Sequence, residues 1–137
     1  MDYALERKYH LEKLCDFCRA LEQPAANIHI AEDSRVLFSS NGRPFDALAW
    51  IDETNDLICV TTRTSEMPEA RFEDAVGIMQ STLQICWDHC VSVMAAERRY
   101  DLSMAVFLGG FTFEALEGVV YNLLACAEAV EQNFKPK

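Results

Sequence analysis

The chain has 137 residues, half of them apolar and a quarter charged, with 22 acids against 12 bases and a formal charge of −10. That length suits one domain with a core of its own, built without help from disulfides or metal. The shortage of Lys and Arg argues against nucleic acid and against an anionic membrane as partners, since both are gripped through clustered positive charge, and it leaves solubility or a basic protein partner as the use of the acidic surface.

No run of apolar residues is long enough to span a bilayer. The first ten residues, MDYALERKYH, lack the apolar centre of a secretory signal. A cytoplasmic protein with reduced thiols is expected.

Taken in order, residues 1–22 form an N-terminal helical segment. Leu11, Leu14, Cys15, Cys18 and Leu21 recur at helical spacing over Tyr3–Leu21, and Pro24 closes the helix because the residue before a proline disfavours helical backbone. Residues 27–63 read as a β-meander. Its runs are Asn27–Ala31, Arg35–Ser39, Phe45–Asp52 and Leu57–Arg63, with turns at Glu32–Ser34, Asn41–Gly42 and Glu53–Asp56. Asn-Gly is the strongest short hairpin signal in the chain.

Residues 67–90 read as one long central helix. Thr64 and Ser65 are placed to cap it, and Pro68 suits its first turn. Phe72, Ala75, Val76, Met79, Leu83, Cys86, Trp87 and Cys90 form one apolar stripe, assigned to the sheet. Ile78, Thr82, Ile85 and His89 form a second stripe beside it. Together they cover roughly 200°, twice what one core contact requires. The second stripe therefore calls for another partner, a further helix or a second subunit, and Ile78, Ile85 and His89 are the candidate surface for a homodimer.

A β-hairpin over 91–108 follows, drawn from Cys90–Glu97 and Leu102–Leu108 around the polar turn Arg98–Asp101. A C-terminal helix over 111–133 comes last. Thr112 caps it, and Phe113, Leu116, Val119, Val120, Leu123, Leu124, Ala127 and Val130 line its apolar face. Helix, antiparallel meander, central helix, hairpin and helix make a single α+β domain over 1–137, because strands and helices segregate rather than alternate.

No residue pattern carries chemistry. Cys15-x-x-Cys18, with Cys86, His89 and Cys90, has the count for a zinc site. Both cysteine pairs, however, fall on the core stripes of helices, where Cys serves as an ordinary small apolar residue. Cys15 and Cys18 also fall late in their helix, not at its start, where the dipole would activate a thiol. The acidic loop Asp52, Glu53, Asp56 lacks calcium-loop spacing, and Gly109-Gly110 lacks the rest of a phosphate loop. No catalytic residue, metal ligand or cofactor is expected. The alternative kept open is a small cysteine-dependent metal-binding or redox protein.

Trp50 lies on the face of its strand opposite Phe45, Ala47, Ala49 and Ile51. If neighbouring strands pair in register, Leu48, Trp50, Ile58 and Val60 share that face. They are the candidate surface for a protein or peptide segment, docked as an added strand or as an amphipathic helix. Asp46, Asp52 and Asp56 beside them favour a basic segment, with binding that weakens in salt.

From Phe45 onward, about two-thirds of the chain, the sequence resembles the YbjN family and, more distantly, the type III secretion chaperones of the Tir-chaperone kind. The likeness rests on ALAWIDETNDLICVTT, on the helix start MPEARFEDAVGIMQ, on CVSVMAAERRYDLSMAVFL and on the helix FTFEALEGVVYNLLACAEAV. The resemblance implies a small, acidic, non-enzymatic α+β domain, often dimeric, that binds protein segments or acts in regulation. YbjN-like proteins are assigned in general terms to sensory transduction. The resemblance supplies no catalytic residues.

Overall fold

The computed structural model describes residues 2–21, 29–31 and 35–135. Its elements run α1 (Tyr3–Leu21), β1 (His29–Ala31), β2 (Arg35–Ser40), β3 (Arg43–Ile51), β4 (Asp56–Arg63), a 3-10 segment (Glu69–Asp74), α2 (Ala75–Asp88), β5 (Ser92–Ala96), β6 (Arg99–Phe107), a short 3-10 turn (Leu108–Gly110) and α3 (Phe113–Gln132). The strands form one sheet in the order β1-β2-β3-β4-β6-β5. This is the α+β arrangement that segregated strands and helices imply. The proposed end of the first helix at Pro24, the strand residues 27–28 and the turn 32–34 lie outside the described residues.

The chain forms two units, and β4, β6 and α3 each contribute residues to both. The first comprises Met1–Val60 and Ala105–Val120. Here α1 starts at Asp2, whose Oδ1 accepts the Leu5 N–H at 3.2 Å, relieving one of the free donors of the first turn. The helix buries Leu14, Cys15 and Cys18, the residues its spacing selects, and lies on β2 and β3. Phe17 extends the contact to Phe111 and Phe113, with ring centroids 5.2 and 6.0 Å away. The β2–β3 hairpin closes over Asn41 and Gly42 at φ 55° and 76°, both in the left-handed region that a tight two-residue hairpin demands. That closure sets the register, Val36 opposite Ala47 and Phe38 opposite Phe45, with the two rings stacked at 5.3 Å. Val36, Phe38, Phe45, Ala47, Ala49, Ile51, Ile58 and Val60 are all buried, so these rows mark the covered face of the sheet.

The second unit comprises Thr61–Met104 and Tyr121–Lys137. At the end of β4, Arg63 Nε donates to Asp101 Oδ1 at 2.7 Å, while the Thr64 N–H donates to the Tyr100 carbonyl at 3.0 Å. Thr64 Oγ1 in turn accepts the Tyr100 N–H at 3.1 Å. Thr64 is thus spent on the sheet and is no helix cap, and neither the 3-10 segment nor α2 has a side-chain cap. Ser65 likewise uses its N–H on Glu131 Oε2 at 2.7 Å.

The central helix is α-helical only from Ala75. Ahead of it, the Arg71 N–H bonds back three residues to the Pro68 carbonyl at 2.9 Å, giving the tighter winding common at helix starts. At the other end, Val91 N–H reaches the Cys86 carbonyl at 2.8 Å and Cys90 takes φ 57°. This is a six-to-one helix stop of the kind usually built on glycine. The hairpin that follows turns on Glu97 and Arg98, with Glu97 at φ 59°, so β6 begins at Arg99 and the turn is earlier and shorter than the sequence suggests.

The two stripes of the central helix are largely exchanged relative to expectation, with Cys86 buried as its stripe implies. Ile78, Thr82 and Cys86 are buried, with Cys86 Sγ 3.8 Å from Cys126 Sγ of α3. Phe72, Val76, Met79, Leu83 and Trp87, assigned from periodicity to the sheet, are exposed. The start of α3 follows expectation, since Thr112 Oγ1 accepts the Ala115 N–H at 3.1 Å.

Candidate protein-binding surfaces

Strand alternation places Leu37, Leu48, Trp50, Leu57, Cys59 and Phe107 in the first unit on the face opposite the buried rows. Trp50 is 48% exposed and Phe107 74%, while Leu48, Leu57 and Cys59 are half-buried. Of the four residues selected from sequence, the structure keeps Leu48 and Trp50 together on this open face. Ile58 and Val60 are fully buried on the other face. The physical reason is phase: β4 carries Leu57–Val60 as an unbroken apolar run, and an offset of one residue exchanges its two faces.

The rim of this face is polar and fixed. Arg35 Nη1 donates to Asp46 Oδ2 at 2.8 Å. The loop after β3 is organised by Asp52, whose Oδ1 accepts the N–H groups of Thr54 and Asn55 at 2.8 and 2.9 Å and the Asn55 side-chain amide at 3.0 Å. Its Oδ2 accepts the indole N–H of Trp50 at 3.2 Å. The Thr54 backbone N–H, helped by the other donors, holds the Asp52 carboxyl down at about 2. The acidic loop is therefore a self-satisfied turn that pins one end of the Trp50 ring.

The second uncovered surface lies in the second unit. Phe72, Val76, Met79, Leu83 and Trp87 recur at helical spacing along the 3-10 segment and α2, with Val76 72% and Trp87 80% exposed. Met94 on β5, the sheet's last strand, is also exposed, and α2 contacts β5. An exposed apolar row such as the one on α2 marks an interaction surface. The residues that periodicity offers for a dimer contact are turned largely inward. Ile78 is buried, Ile85 is half-buried, and His89 closes the helix, its Nδ1 2.9 Å from the Ile85 carbonyl and its own carbonyl accepting Asn122 Nδ2 at 2.8 Å. A periodicity search finds the exposed stripe but cannot say which of two apolar stripes faces outward.

None of the six cysteines is in a disulfide: Cys15, Cys18, Cys86 and Cys126 are buried, Cys59 is half-buried and Cys90 is exposed. Cys90, placed on a core stripe from sequence, instead sits at the helix stop. Among the described residues, no cluster of His, Cys, Asp and Glu has the geometry to hold a metal ion, and no helix is long and apolar enough to cross a membrane.

Element order and sheet topology define a type III secretion chaperone-like fold. Among solved structures, a chain of the HopA1–SchA chaperone–effector complex aligns with a TM-score of 0.69 over 96% of this chain and 98% of its own, at 10% identity. A chain of the ExsC–ExsE complex aligns with a TM-score of 0.59 over 89% and 90%, at 13% identity. YbjN from E. coli aligns with a TM-score of 0.53 over 90% and 87%, at 9% identity. No protein-family model matches the sequence, and no curated protein does. At these identities the likeness is one of fold.

Proposed function

We propose that this protein is a non-enzymatic, chaperone-like or regulatory module that works in the cytoplasm, pairs with a second copy of itself and captures a segment of another protein. The observation that carries the reading is the uncovered apolar sheet face of the first unit, centred on Leu48, Trp50 and Phe107. It carries two exposed aromatic rings, and its rim holds Asp52 and the Arg35–Asp46 ion pair. Aromatic anchors on a rigid sheet, ringed by charge, suit an extended or helical segment with apolar and basic residues. The solved relatives in fold include a chaperone bound to its effector, which supports the same use of the fold here.

The α2 stripe supports self-association. Its five residues leave on the order of 500 Å² of apolar surface exposed, against the ~800 Å² per partner of a standard interface. A helix face of this kind is self-complementary about a two-fold axis.

The test uses synthetic 20-residue peptides in which Leu or Phe alternates with Lys, titrated into the full chain and followed by calorimetry in wild type and variant alike, with the Trp50 indole N–H resonance as a second readout in the wild type. Binding that saturates, weakens between low and high salt, and is lost in Trp50→Ala with the fold intact supports the proposal. If Trp50→Ala binds the same peptides equally well, the face is wrong. Turnover of a small molecule by the wild-type protein would overturn the non-enzymatic reading.

A further inference from the structure

The second unit contains a groove of about 640 Å³ between the start of α2 and the end of α3, more polar than the apolar stripe with which it shares Val76. Arg71 lies at its end. The side chain is only 14% exposed and is held at long range, by Nη2 donating to the Asn133 carbonyl at 3.3 Å and by Nη1 near Asp74 Oδ2 at 3.5 Å. Neither Arg71 Nε nor the side-chain amide nitrogen of Asn133 has an acceptor, although both atoms are enclosed. The Arg71–Asn133 contact brings these two unspent donors into one neighbourhood. Buried donors in native structures are nearly always satisfied, and a pair left over together signals an acceptor that joins from outside. Lys135 adds a second positive charge to the lining, balanced by Glu73 and Asp74.

The α2 side of the groove leaves room for a guest. Gly77 and Ser81, one turn apart on α2, line it, and a Cβ built on Gly77 would meet nothing within 4 Å. Glycine inside a helix is disfavoured relative to alanine, and here it keeps the groove open.

We propose that this groove binds a carboxylate, with Arg71 and Asn133 supplying its hydrogen bonds. The guanidinium fork matches the two oxygens of a carboxylate. Asp74, 64% exposed and therefore weakly held, is the resident group it displaces. A doubly charged phosphate fits less well, because Asp74 and the chain's −10 charge oppose it. The carboxylate belongs either to an acidic side chain or to a chain end.

The experiment titrates the full-length protein, at constant ionic strength, with N-acetylglutamate methylamide, with N-acetylglycine and with the uncharged N-acetylglutamine methylamide. The readout is the Arg71 Nε–Hε resonance. A saturable shift is expected with a Kd on the order of 10 mM for at least one carboxylate, at least tenfold tighter than for the amide. Response to the first probe alone assigns a side chain, and response to the second alone assigns a chain end. Asp74→Asn should tighten binding about threefold by removing the competitor. Arg71→Lys, followed at the Asn133 side-chain amide, should abolish it. Because Arg71 also ties the 3-10 segment to α3, Gly77→Leu provides an independent check: it fills the groove from a solvent-facing helix position and should erase the Arg71 shift with the fold retained. An equal response to the uncharged probe, no shift with either carboxylate, or an unchanged titration in Gly77→Leu would overturn the proposal.

Discussion

The sulfur atoms of Cys86 and Cys126 sit 3.8 Å apart where α2 meets α3, each almost wholly buried. One thiol serves as hydrogen-bond partner to the other, and the Cys86 contact together with burial pushes the Cys126 thiol up from its ordinary value. Burial likewise pushes Cys15 up. Thiolate is the reactive form, so Cys15 and Cys126 should resist modification, while Cys86, whose thiol the same hydrogen bond shifts down, is shielded by its burial alone. Labelling with a maleimide at neutral pH, resolved by peptide mass mapping, should modify Cys90 first and Cys59 more slowly, and leave Cys15, Cys18, Cys86 and Cys126 to label only on unfolding. Rapid labelling of Cys126 in the native protein would show that α2 does not stay seated on α3.

The hold of Asp52 on Trp50 gives a pH signature. The folded carboxyl lies at about 2, against an ordinary value of 3.8. The fold therefore favours the ionised form. That preference is fully present above pH ~4 and is lost as pH falls through about 2. The Trp50 indole N–H resonance should titrate with a midpoint near 2 in the wild type and lose that transition in Asp52→Asn. A midpoint near 4 would mean that the loop hydrogen bonds are not kept in solution.

Cys90 occupies a left-handed conformation at φ 57° that costs a residue with a Cβ about 1–2 kcal/mol. Cys90→Gly should therefore raise the unfolding free energy by roughly 1 kcal/mol, visible as a higher midpoint in urea at unchanged slope. No gain, or a loss, would show that the thiol has contacts that outweigh its backbone strain.

Substitution on the two sides of α2 should separate assembly from folding. Trp87→Asp or Val76→Asp places a charge on the exposed stripe and should give a monomer in sedimentation with an unchanged circular dichroism spectrum. Ile78→Asp places an unpaired charge in the core and should unfold the chain, at a cost of about 4 kcal/mol or more. If Trp87→Asp sediments like the wild type, the stripe is not where copies meet.

Where a residue is tied to local chemistry, the sequence was enough. Asn41-Gly42 sets the β2–β3 turn because few other pairs take left-handed backbone twice, and Thr112 caps α3 because its hydroxyl sits one residue ahead of the apolar period. Facing was another matter. Ile78 and Met79 are both apolar, and periodicity gives their spacing without saying which one α3 and β5 cover. In β4 the run Leu57–Val60 is apolar on both faces, so Ile58 and Val60 could be placed with Trp50 only by assuming a register, and the assumption was off by one residue. Thr64 looks like a helix cap because threonine at that spacing often is one, but β6 is distant in sequence and takes the hydroxyl first. The carboxylate groove was invisible for the same reason: Arg71 and Asn133 meet only in the fold, 62 positions apart.

The last strand of the sheet has a consequence for how the protein behaves in the tube. β5 is five residues long and ends the sheet, so one row of its backbone donors and acceptors is left open beside exposed Met94. Such an edge is a template for open-ended stacking, and here the main restraint is mutual repulsion between copies that each carry −10. Colloidal stability should accordingly be poorest not in denaturing acid but in the mildly acidic range where the carboxylates begin to neutralise. There the repulsion fades while the strand is still folded, and concentrated samples should turn turbid before they unfold.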